Sequence, residues 1–109
     1  MKLLLDHCVD RRLAASLRAH SVSTAAELGW EQLRNGALLA DAAGAGFDAV
    51  LTTDANLKSQ QDLATLPIAV VVLRARSNRL ADLLPLVPRL EESLAALAPR
   101  TLIEIGQEP

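Results

Sequence analysis

The chain has 109 residues, the size of one domain, and leaves no room for a second core of its own. Half of its residues are apolar and 22% are charged, which excludes a disordered chain. The formal net charge of −2 excludes the uniformly basic surface of many nucleic-acid-binding domains, so any contact with RNA or DNA must be local.

The only aromatic residues are Trp30 and Phe47, so the core must come from Leu, Val, Ile and Ala, a composition suited to helices packed on a parallel sheet. The single cysteine, Cys8, cannot form an internal disulfide. No stretch approaches the ~18 apolar residues needed to span a bilayer, and Met1 leads into a short apolar run rather than a signal peptide. The expected location is the cytoplasm, with no membrane partner. The many Leu and Ala residues leave room for a homodimer interface.

Residues 2–6 are an apolar run stopped by Asp6, the pattern of a strand buried on both faces. Asp10 can cap a helix with Leu13, Ala14 and Leu17 on one side and Arg11, Arg12 and Arg18 towards solvent, ending near His20. Residues 21–25 alternate and read as a weaker second strand before a loop ending at Trp30. Asn35 and Gly36 open a helix with Leu38, Leu39 and Ala42 on its buried face, and Gly44 and Gly46 mark its end.

Residues 49–52 form the third strand, which runs into Thr53 and Asp54 as the first runs into Asp6. A short helix is expected over 57–63 and a strand, central or nearly so, over 68–73. Helical spacing over 80–97 is interrupted by Pro85 and Pro88, which must kink or divide it, and residues 101–105 supply a last strand. The tail at 107–109 is expected to fray. Strands alternating with helices predict a single-domain, three-layer α/β/α fold with a mainly parallel sheet of about five strands. Right-handed crossovers should move the helices to the other face only where strand order reverses.

In such sheets ligands bind at the carboxyl ends of the strands, beside that reversal. If the first and third strands are neighbours there, Asp6 and Asp54 end about 5 Å apart sideways and can share one divalent cation. Two carboxylates that close repel unless a cation or an arginine neutralises them. The alternative role for each is to cap the segment that follows its strand.

Arg74, Arg76, Asn78 and Arg79 follow the fourth strand on the same edge, where they can grip phosphates or form a solvated turn. Arg12 can contact nucleic acid with them, pair with an active-site acid or remain a surface charge. Glu27 is a third acid in a loop, and Gln60, Gln61 and Asp62 read as an exposed helix face. Trp30 can stack on a base or cover the core. Cys8 reads as a small buried residue, and His7 would point away from Asp6 if the strand continued. No Ser/His/Asp set, glycine-rich phosphate loop or zinc motif is present.

Several of these segments together resemble the small PIN-like proteins related to the toxin ribonucleases of toxin-antitoxin systems. They are the opening strand to Asp6, Arg12-Leu13, the loop from Thr24 to Trp30, Asn35-Gly36 and the run Thr52-Thr-Asp54-Ala-Asn56-Leu57. The resemblance covers roughly the first 75 residues. It implies a PIN-like fold and a ribonuclease in which carboxylates at strand ends bind Mg²⁺ or Mn²⁺ and activate water for phosphodiester attack.

It makes Asp6 and Asp54 the catalytic and metal-binding acids, RNA the substrate and an antitoxin-like protein a partner. Two further acids of the family appear here as Asn35 and Asn56, which implies a more weakly bound metal. The rival reading is a non-catalytic PIN-like module that binds RNA or a protein. A response-regulator-like domain fits less well, because His7 stands where such domains place a second acid.

Overall fold

The structure is a computed structural model that describes residues 1–106, apart from the Asn35 side chain. The expectation of a frayed tail at 107–109 lies outside the described residues. Five strands, β1 (Lys2–Leu5), β2 (Ser21–Thr24), β3 (Ala49–Thr52), β4 (Ala69–Arg74) and β5 (Leu102–Gly106), pair in parallel in the order β2-β1-β3-β4-β5.

Alternate residues along the strands enter two cores, as the pleat requires. Leu3, Leu5, Ala49, Leu51, Val71 and Leu73 face one side, and Leu4, Val50, Val70 and Val72 face the other. The first side is covered by a 3-10 helix (Arg11–Ser16), α3 (Leu80–Leu83), a 3-10 turn (Leu84–Leu86) and α4 (Val87–Ala95). The second is covered by α1 (Asn35–Gly44) and α2 (Leu57–Gln60). Leu3, Leu4 and Leu5 are fully buried, and each burial contributes about 1.5–3 kcal/mol of transfer free energy. The strands therefore read as unbroken apolar runs because both of their faces are covered.

The turn from α1 into β3 is set by Gly46, whose φ of +85° lies in the left-handed region. The Gly46 and Phe47 amides return to the Ala43 and Ala42 carbonyls, the paired bonds of a Schellman cap, and Phe47 packs in the same core as Ala42. Lys2 then fixes the start of β1 against β3. Its amide donates to Asp48 Oδ2 at 2.7 Å and its carbonyl accepts from the Asp48 amide, also at 2.7 Å.

Three expected elements differ in length or form. The first helix is a short 3-10 segment rather than a helix reaching His20. Its cap and the following turn close through bonds three residues apart, from Leu17 to Ala14 and from His20 to Leu17. The second, α2, stops at Gln60 because Asp62 Oδ1 accepts from the Ala64 amide and makes its own turn. The third splits at Pro85 and Pro88, each in the first turn of the segment it opens, where a missing N–H costs nothing.

The last crossover departs from the expected rule. The β3-to-β4 and β4-to-β5 connections step in the same direction along the sheet, yet α2 lies on one face and α4 on the other. The final crossover therefore has the opposite hand to the other three, against the usual right-handed preference. The apolar pattern accounts for it. The six-residue 3-10 helix is too short to cover Leu51, Val71, Leu73 and Ile105, and Leu83, Leu86, Leu90 and Leu94 complete that core.

Candidate functional site

The strand order reverses between β1 and β3, which are direct neighbours with Leu5 opposite Leu51. Asp6 and Asp54 leave the carboxyl ends of these two strands and line one cleft of about 280 Å³, with His7, Cys8, Leu33 and Arg34. This is the switch-point crevice at which doubly wound sheets bind ligands.

The Asp6 carboxylate is held at both oxygens. Oδ1 accepts from the His7 amide at 2.8 Å and lies 3.0 Å from His7 Nδ1. Oδ2 accepts from the Thr52 hydroxyl at 2.9 Å, with Cys8 Sγ at 3.6 Å. Thr52 is buried, and its oxygen also accepts from the Asp54 amide at 3.1 Å. Asp54 Oδ1 in turn accepts from the Asn56 amide at 2.9 Å, a local turn that orients the carboxylate. Asp54 thus shapes its loop as well as lining the cleft.

His7, Cys8, Thr52 and Arg34 lie outside the site expected from the sequence. His7 reaches Asp6 because β1 ends at Leu5 and the chain turns, which removes the alternation that would have pointed it away. Arg34 Nη1 lies 3.4 Å from His7 Nε2. Arginine only donates, so that contact makes Nε2 the acceptor and puts the ring proton on Nδ1, facing Asp6. Cys8 is half-buried rather than buried, and its sulfur lies 3.4 Å from Thr52 Oγ1 and 3.5 Å from the Thr53 amide. A residue type known to tolerate apolar surroundings gives no signal for such a position.

Asp6 and His7 also border a second cavity, of about 350 Å³, with Asp10, Arg11, Thr24 and Glu27. Glu27 is exposed on its rim. Arg12 does not pair with Asp6 or Asp54. Its guanidinium clasps Asp10, with Nη2 to Oδ2 at 2.7 Å and Nε to Oδ1 at 3.1 Å, and this holds the Asp10 carboxyl well down, at about 2.

Arg74, Arg76, Asn78 and Arg79 are all exposed on the carboxyl side of β4. Asn56 precedes α2 and is exposed; the Asn35 side chain lies outside the described residues. Trp30 covers the core, packing edge-on against Phe47 with centroids 6.3 Å apart.

No family model matches the chain, and no curated protein or solved structure is significantly similar to it. Among the described residues no group of three or more His, Cys, Asp or Glu side chains is arranged to hold a metal ion. Two carboxylates, Asp6 and Asp54, line the cleft, and they are hard oxygen donors. That set fits Mg²⁺ or Mn²⁺ better than a thiophilic ion, because Mg²⁺ commonly sits on one or two carboxylates and keeps several waters. No described helix is long and apolar enough to cross a membrane.

Proposed function

We propose that this chain is a PIN-like, Mg²⁺- or Mn²⁺-dependent ribonuclease-type protein, the toxin half of a toxin-antitoxin pair. The observation that carries the reading is the meeting of Asp6 and Asp54 in one cleft at the β1–β3 switch point. Asp6 and Asp54 would hold the cation, with Asn35 and Asn56 completing or orienting its shell. A divalent cation at such a place supplies charge stabilisation of the phosphodiester and a water nucleophile near neutral pH.

The chain's own residues do the rest. Thr52 fixes the spacing of Asp6 to the Asp54 backbone, and His7 holds the Asp6 carboxylate by its other oxygen. The reading implies the cytoplasm, where Cys8 stays a thiol.

Cleavage of a labelled single-stranded RNA by the purified protein tests it. Cleavage should require Mg²⁺ or Mn²⁺, stop in EDTA and be lost in Asp6→Asn and Asp54→Asn. A second reading, a non-catalytic PIN-like module that binds RNA or a protein, is favoured by the donors gathered on Asp6, the His7 amide and ring at Oδ1 and the Thr52 hydroxyl at Oδ2. That reading predicts RNA or protein binding with no cleavage in any metal.

A further inference from the structure

The acidic cleft leaves the basic residues after β4 unused, and these border a separate cavity. It measures about 410 Å³ and is lined by Arg74, Ala75, Arg76 and Gly106, at the carboxyl ends of β4 and β5. That size accommodates a nucleotide-sized group. Arg74 and Gly106 are register partners, and Arg89 reaches from α4 to donate to the Gly106 carbonyl.

Arg74 Nη1 lies 3.2 Å from Glu104 Oε2, and Lys58 Nζ lies 3.1 Å from the other oxygen of the same carboxylate. Two cations thus share one anion. Arg76 makes no hydrogen bond or ion pair among the described residues, so its guanidinium fork is available. On a chain of formal net charge −2 this is a local excess of positive charge around a cavity.

The cavity and the acidic cleft share one sheet edge. β3 and β4 pair as far as Thr52 opposite Val72, and Asp54 and Arg74 each stand two residues beyond that pair. Neighbouring strands are about 4.8 Å apart, so the ends of β3 and β4, from which the chain runs on to Asp54 and to Arg74 and Arg76, are one strand spacing apart. That is the scale of one nucleotide step along an extended strand. No aromatic side chain lines the cavity, so it would hold backbone rather than stack a base.

We infer that the Arg74–Arg76 cavity is a phosphate subsite for single-stranded nucleic acid, holding a backbone phosphate next to the one that reaches the Asp6–Asp54 cleft. The inference deepens the nuclease reading and rests on it only for the identity of the neighbouring cleft.

The test is anisotropy of a labelled single-stranded oligoribonucleotide with the whole protein in EDTA, so that no metal or cleavage is involved. The Arg74→Gln/Arg76→Gln double variant should bind about tenfold or more weakly. Its log–log salt dependence should flatten by about 0.7 for each phosphate that the variant no longer neutralises.

Gly106→Asp should weaken binding similarly; a Cβ there meets Arg74 only at ordinary van der Waals distance, 3.8 and 3.9 Å, and circular dichroism checks that the aspartate variant keeps the fold. Gly106→Ala should bind as the unchanged protein does. Wild-type affinity in both charge variants overturns the subsite, and so does competition by a nucleoside monophosphate at the concentration at which the oligonucleotide itself competes. Arginine-dependent binding in EDTA without metal-dependent cleavage leaves the subsite standing and removes the nuclease reading alone.

Discussion

The hydroxyl of Thr52 donates to Asp6 Oδ2 at 2.9 Å. Because the same oxygen accepts from the Asp54 amide, one buried side chain sets the ends of β1 and β3 relative to each other. Thr52→Val keeps the shape and removes both bonds, leaving a carboxylate oxygen and an amide without that partner. The expected loss is about 1–3 kcal/mol in urea denaturation, with weaker metal binding, and Thr52→Ser should restore both. A Val variant as stable as the parent would show that the hydroxyl does not organise the cleft.

Asp10 gives a prediction about acid. With Arg12 clasping it, its carboxyl sits at about 2 rather than 3.8. A carboxyl whose pKa is lower in the folded state adds stability above its unfolded value. That contribution fades as the pH falls from about 3.8 towards about 2. Carboxyl carbon shifts followed by NMR should show this low midpoint, and Arg12→Gln should raise it towards 3.8. A midpoint that ignores the substitution would contradict the clasp.

The reversed final crossover predicts where the core is sensitive. Leu90 is fully buried in α4 against the face shared with Leu13 and Leu73, whereas Leu84 is 40% exposed. Leu90→Ala should cost about 2–5 kcal/mol and Leu84→Ala no more than about 0.5 kcal/mol. Equal costs in chemical denaturation would mean that α4 does not cover this face.

Glu104 restrains the arginine cavity. Lys58 first, and then Arg74, hold its carboxyl below the ordinary value of 4.5. Glu104→Gln breaks two exposed ion pairs, so stability should change by less than about 1 kcal/mol. Oligonucleotide binding in EDTA should tighten, because the cations lose their competing anion. Weaker binding would place the nucleic acid elsewhere.

Much of this architecture can be read in the sequence where local chemistry decides it. The apolar runs of β1, β3 and β4, the prolines that divide the helix before β5, and the glycine that ends α1 are each fixed by a few adjacent residues. Asp6 and Asp54 are visible for the same reason, as acids closing apolar strands. The partners of Asp6 are not. Thr52 meets it through strand pairing, and His7 through a turn that breaks strand alternation, with Arg34 reaching His7 from the loop before α1. The hand of the last crossover is equally hidden, because it answers to how much of the sheet the first 3-10 helix leaves bare.

Calorimetric titration of Mn²⁺ into metal-free protein, beside Asp6→Asn and Asp54→Asn, tests the central claim most directly. Each substitution keeps the side-chain shape and removes one charge. The account predicts binding by the parent chain and its loss in both variants, the signature of one cation shared by two carboxylates. No heat of binding at millimolar Mn²⁺, or binding that survives both substitutions, would contradict it.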